Sequence, residues 1–233
     1  MVWVSTRRMQ RLPLVVAAGL VLCAALTSPA HAQPATNAPA TADAGAAYTR
    51  TITKRSADIV AALALTDAAK ANRVQEILVA QYRALNAWHE QHDTELKALN
   101  KSTSNDDKEA AAKAKAQIAE VQATLKPIHD SFLTKLAAEL TPEQVETVKD
   151  KMTYGKVKVT YDAYCKLVPG MSDAEKAHVL ALLKEARELA IDGGSAEEKT
   201  AIFGKYKGKI NNYLAAQGHN QKKKPVEQPA AKP

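Results

Sequence analysis

Few residues in this chain are of types and spacings that do chemistry, and they point in different directions. His89, His92 and Asp93 stand together in the run HEQHD. Imidazoles three residues apart share one face of a helix, so the pair can hold a metal ion if a third ligand comes close. His129 is the one position to suggest, and the competing reading is a solvated helix face. Cys165 has no histidine spaced to activate it, and a thiol without a base is an inert apolar side chain. Asp150, Asp162 and Asp173 form no pair whose spacing fits acid–base work on a glycosidic bond. A glycine-rich phosphate loop, a Gly-x-Ser-x-Gly elbow and a His-Glu-x-x-His helix are all missing from the sequence. No catalytic residue, metal or cofactor is assigned on these grounds.

The aromatic residues are more informative. Tyr154, Tyr161, Tyr164, Phe203, Tyr206 and Tyr213 lie in the C-terminal half, interleaved with Lys156, Lys158, Lys205, Lys207 and Lys209. Rings that stack on sugars beside ammonium groups that meet carboxylates or sulfates make a grip for an acidic glycan. The same mixture suits single-stranded nucleic acid, but an exported chain of small net charge argues against that partner. The alternative is that the tyrosines are core residues with their hydroxyls at the rim. The expected ligand surface comprises Tyr154, Tyr161, Tyr164, Lys205, Tyr206, Lys209, Asn211, Asn212 and Tyr213.

The elements that must position these residues are helices. Apolar residues recur at three and four throughout, and caps mark the starts. A short helix is predicted around Thr53 to Leu65. A long one, capped by Thr66, carries a stripe from Val74 to Leu99. A third, capped by Ser104, runs through Ile118, Phe132 and Leu136, with Pro127 kinking or interrupting it. Thr141, Pro142 and Gln144 make a capping box for a helix over Val145 to Met152, ended by Gly155. Lys156 to Val159 alternates apolar and charged residues but finds no partner strand, so it reads as an extended connector. Thr160 then caps a short helix that stops before Pro169-Gly170. Ser172 with Glu175, and Ser195 with Glu198 after Gly193-Gly194, box the last two helices. In the last one Gly204 and Gly208 lie mid-helix, where each costs about 1 kcal/mol relative to alanine. Tight helix packing or a ligand close to the backbone can compensate. The similar starts at Leu65, Leu140 and Met171 are unequally spaced, so shared capping chemistry explains them better than duplication.

The chain has 233 residues and a net charge of +7. Arg7, Arg8 and Arg11, the apolar run from Leu12 to Leu26 and the Ala30-His31-Ala32 site read as an export signal over 1–32, too short for a permanent span. Losing that leader leaves a mildly basic chain with Cys165 as its one thiol, so no internal disulfide forms. Residues 33–47 are Ala-, Pro- and Thr-rich and are expected to be a disordered linker, and 218–233 a disordered basic, proline-containing tail. Between them, 48–217 is expected to be one domain: all-α, an irregular antiparallel bundle of about six helices.

The runs VKDKMTYG (Val148 to Gly155), VTYDAY (Val159 to Tyr164), EAREL (Glu185 to Leu189) and FGKYKGKINNYL (Phe203 to Leu214) resemble the secreted bacterial family catalogued as domain of unknown function 3826. The likeness covers Tyr48 to about Asn220. It implies an exported helical domain in genomes rich in polysaccharide-degrading systems, and carries over no catalytic residue. A weaker likeness is to the periplasmic Spy and CpxP chaperones. LTPEQ (Leu140 to Gln144) is similar to their Leu-Thr-x-x-Gln element, while LTDAAK (Leu65 to Lys70) lacks the glutamine.

The expectation is an exported bacterial protein, periplasmic or extracellular, that binds rather than catalyses. Its partner is an acidic glycan or an unfolded client protein. The competing expectation is an enzyme or accessory factor acting on acidic polysaccharide.

Overall fold

The computed structural model describes residues 38–104 and 106–219. The expected export signal over 1–32 and most of the expected C-terminal tail lie outside the described residues, as does the start of the expected linker. Among the described residues there are eight helices and no strand: α1 (Ala38–Ala62), α2 (Ala68–Ser102), α3 (Lys108–Ala123), α4 (Lys126–Glu139), α5 (Pro142–Met152), α6 (Lys156–Leu167), α7 (Asp173–Ala190) and α8 (Ala196–Ala216). The described residues from Ala40 onward belong to one compact unit.

The count exceeds six for local reasons. Pro127 sits in the first turn of α4, where its missing N–H costs nothing, so it splits the expected third helix rather than bending it. Lys156 to Val159 is helix rather than connector. Val157, Thr160, Tyr164 and Val168 recur at helical spacing and all turn inward, while Val159 is 68% exposed. Its alternation was a coincidence of a helix edge. Nor does Thr160 cap α6. Gly155 does, in the left-handed region at φ 65° directly after Tyr154 at φ 59°. The Gly155 N–H donates to the Asp150 carbonyl, closing α5. Two other caps fall one and three residues past the hydroxyls expected to supply them. Asp67 caps α2 and Asp107 caps α3, each carboxylate accepting two N–H groups of the first turn. The capping boxes at Thr141 and Ser172 form as expected. At Ser195 only half of one forms: Ser195 accepts from the Glu198 N–H, while Glu198 accepts from the Gly194 N–H. At the near end, α1 begins at Ala38, inside the stretch expected to be unstructured. At the far end His219 is tied to Glu175 at 3.1 Å.

The apolar side chains collect into two clusters. In one, Ile59 of α1 and Leu63 just after it, Val74 and Leu78 of α2, Phe132 and Leu136 of α4, and Val148 and Met152 of α5 pack together with Ile191. In the other, Val157 and Tyr164 of α6, Val179, Leu183 and Ala186 of α7, and Phe203, Tyr206, Ile210 and Leu214 of α8 do so. Burying each large apolar side chain contributes roughly 1.5–3 kcal/mol. The end of α7 belongs to both, since Ala190 packs in the second cluster and Ile191 in the first. Arg187, one turn earlier, reaches α5: its guanidinium donates to Asp150 at 2.7 Å and to Glu146. The turn after α7 is therefore where the two apolar clusters meet.

Candidate functional site

The tyrosine and lysine residues of the expected surface separate into those that pack and those that face outward. Tyr164 is buried on α6, and its hydroxyl meets α8, 2.8 Å from the Asn211 side-chain oxygen and 3.2 Å from the Lys207 carbonyl. Tyr206 is buried in the same cluster, yet the Lys209 ammonium stands 4.1 Å from its ring centroid, a cation–π contact at the surface edge. Tyr213 is half-buried and stacks against His178 with ring centroids 4.0 Å apart. Tyr161 is half-buried and bonded to Cys165 one turn on, which pushes its phenol up. Tyr154 is exposed at the α5–α6 corner, near enough to Tyr82 of α2 to oppose its ionisation. The fold thus joins Tyr164, Tyr206, Lys209 and Asn211 through α6 and α8, and leaves Tyr154 at a different place.

The outward face of α8 carries Gly204, Lys205, Gly208, Lys209, Asn211 and Asn212, all exposed. A Cβ built on Gly204 or Gly208 meets nothing within 4 Å. Close helix packing does not account for them. They leave a bare strip of helix backbone between lysine and asparagine side chains.

The histidines lie elsewhere. His89 and His129, on α2 and α4, both converge on Asp192 in the turn between α7 and α8. His89 Nε2 is 2.8 Å from the Asp192 carbonyl oxygen and its Nδ1 is 2.9 Å from the Asp93 carboxylate. His129 Nδ1 is 2.7 Å from Asp192 Oδ2. Burial works against charge on His89, but the Asp192 carbonyl, Asp93 and Glu198 outweigh it and raise its pKa. The Asp192 hydrogen bond likewise raises that of His129 against burial. His92 takes no part; it stacks on Trp88. Both nitrogens of His89 face oxygen acceptors and leave no lone pair for a metal, and among the described residues no three histidine, cysteine or acidic side chains are grouped to hold one.

Lys199 completes this cluster. Its buried Nζ donates to the Ala190 carbonyl at 2.7 Å and to that of Ile191 at 3.3 Å, closing the end of α7. Burial pushes its pKa down to about 8. Beside it Asn86, His89, Glu90, Asp93, Gly194, Ser195 and Glu198 line a concavity of about 260 Å³. Its carboxylates repel an acidic ligand, so the lysine-bearing face of α8 and this concavity suit opposite charges. Asp192, Lys199 and Glu198 are not apparent from sequence as a cluster. Gly193-Gly194 was the available signal: a Cβ on Gly194 would stand 2.7 Å from the His89 ring. The glycine pair admits a neighbour as well as breaking a helix.

A family profile described as "Protein of unknown function (DUF3826)" matches residues 49–229. No curated protein matches the chain.

Proposed function

The chain belongs to the DUF3826 family, and on that premise we propose that it is an exported, non-catalytic binding module that takes an acidic glycan along the outward face of α8. The observation that carries this reading is the pair Gly204 and Gly208, one turn apart and open to solvent beside Lys205 and Lys209. Each glycine costs stability in an exposed helix, and the backbone they bare admits a flat ring that a side chain would hold off. Lysine ammonium groups beside it supply charge, and Asn212 supplies hydrogen bonds.

Calorimetric titration with a polyuronate oligosaccharide tests the idea, with a neutral oligosaccharide of equal length as control. Binding is expected to the uronate only, weakening with salt, and to fall at least tenfold in the Lys205→Glu, Lys209→Glu double variant. Equal affinity for both sugars, or none for either, overturns it. Product formation during the titration would favour the competing reading, an enzyme or accessory factor on acidic polysaccharide.

A second reading, capture of unfolded client protein, is favoured by a different observation. Val159 and Leu167 on α6 are each 68% exposed, and Leu189 on α7 is 55% exposed. Aggregation of a reduced client at molar excess of this chain tests it. Suppression lost in Val159→Ser, Leu167→Ser supports the reading, and no suppression removes it.

A further inference from the structure

We propose that His89 and His129 form a proton-operated clasp on the turn between α7 and α8, closed while the imidazoles are charged and loosened as they lose protons. The geometry at His89 requires this. Its Nδ1 faces the Asp93 carboxylate and its Nε2 faces the Asp192 backbone carbonyl. Neither oxygen can donate, and a neutral imidazole carries a single N–H. Only the imidazolium satisfies both contacts; a neutral ring sets a lone pair against an oxygen on one side or the other.

The ring cannot turn away to relieve that conflict. Trp88 stands edge-on to it with centroids 5.0 Å apart. On the turn side the Gly194 backbone lies so close that a Cβ there would reach within 2.7–3.0 Å of ring atoms. Two carboxylates, Asp93 at 2.9 Å and Glu198 at 3.8 Å, face Nδ1 and hold the remaining proton there, so the bare Nε2 is left against the Asp192 carbonyl and relief comes from movement of the turn. His129 acts more weakly, because the tautomer with its proton on Nδ1 still donates to Asp192 Oδ2 when neutral and loses only the charge.

The charged groups around the clasp come from every element packed on it. Asp93 is on α2 with His89, and Asp130 on α4 with His129. Glu188 lies on α7, and Glu198 on α8 is 3.8 Å from His89 Nδ1. Lys199 on α8 opposes them, and Arg55 of α1 acts on Lys199. Lys126 answers Asp130, and Lys149 and Arg187 answer Glu188, so it is Asp93 and Glu198, both facing His89, that favour the protonated, closed state. What the clasp holds is the root of α8: the Gly194 N–H to Glu198 bond and the Ser195 cap. The inference concerns this root alone and does not depend on any ligand of the outward face.

The test uses the full chain, with imidazole nitrogen NMR reporting the charge of His89 and hydrogen exchange, corrected for intrinsic rate, reporting the Gly194 and Lys199 amides. Leu183 of α7 serves as the reference for global opening. Between pH 6 and pH 9 protection at Gly194 and Lys199 is expected to fall about tenfold relative to Leu183, in step with loss of the His89 proton. In His89→Gln the tenfold step should vanish, leaving at most the smaller change carried by His129. If that variant does not fold, His129→Gln decides. Removing a positive neighbour should move the step to higher pH. A neutral His89 at pH 6, protection that ignores its titration, a tenfold step that survives His89→Gln, or one unmoved or lowered in His129→Gln overturns the proposal.

Discussion

His89 shows how much one residue's surroundings decide. On sequence it stands with His92 on one helix face, solvated or able to hold a metal only with a third ligand; in the fold its two nitrogens are pinned between a carboxylate and a carbonyl, with Gly194 against its ring. Gly194→Ala is therefore expected to destabilise the protein by about 1–3 kcal/mol through forced displacement of a packed ring, read as a lower urea midpoint. A Cβ on Gly193 would stand 3.1 Å from the stem of the buried Lys199, a tight contact but a milder one than at Gly194. Ser56 offers a substitution of opposite sign. It is fully buried, and its hydroxyl has no hydrogen-bond partner among the described residues. Ser56→Ala removes a desolvated group without leaving a mate behind, so it should be neutral or raise stability by up to about 1 kcal/mol. A loss of more than that in urea unfolding would show that the hydroxyl is held by something else.

Among the elements, the caps and α8 lend themselves to measurement. Ser172 serves α7 twice, as acceptor for the Glu175 N–H and through the reciprocal Glu175 contact. Ser172→Ala should cost about 1 kcal/mol, a shift that thermal unfolding resolves. In α8, Gly204→Ala and Gly208→Ala enter open space, and each should stabilise the protein by roughly 0.5–1 kcal/mol. If the proposed ligand face is correct, the same changes weaken uronate binding, so stability and affinity move in opposite directions. A substitution that destabilises instead would mean that the face is packed, and would take the binding surface with it. The elements also explain two misread stretches. Val157 and Val159 alternate like a strand, but burial of Val157 with Tyr164 requires the helical period. Thr66 and Ser104 are good capping residues, yet a nearby aspartate does the capping in each case, because the choice depends on where the helix axis begins.

At the scale of the molecule, two apolar clusters meet at the end of α7, and the polar residues there give stability an unusual dependence on pH. The folded pKa values of His89 and His129 lie above the ordinary 6.5. Their contribution is therefore fully present below about pH 6.5 and lost as pH rises through the raised values. Lys199 has the opposite sign. Its folded value of about 8 lies below the ordinary 10.5, so its buried ammonium costs stability below about pH 8, and that cost fades between about 8 and 10.5. The sum is a shallow minimum near pH 8, to be sought by urea unfolding from pH 6 to 9.5. Lys199→Met should remove the alkaline rise and leave the fall; a monotonic fall in the wild-type chain would contradict the Lys199 assignment, and a monotonic rise that of the histidines.

Helical period, capping boxes at Thr141 and Ser172, a kink or interruption at Pro127 and the family likeness are all written in short stretches of chain, and an all-α fold follows from them because helices are built from contacts three and four residues apart. Which tyrosines are core was not legible from residue type, and only the approach of α8 buries Tyr164 while Tyr154 stays open. The histidine cluster was half legible. His89, His92 and His129 stood out by type, but Asp192 lies 103 residues from His89. Bringing them together depends on how α2, α4 and the end of α7 pack, a property of the assembled helices and of no single segment.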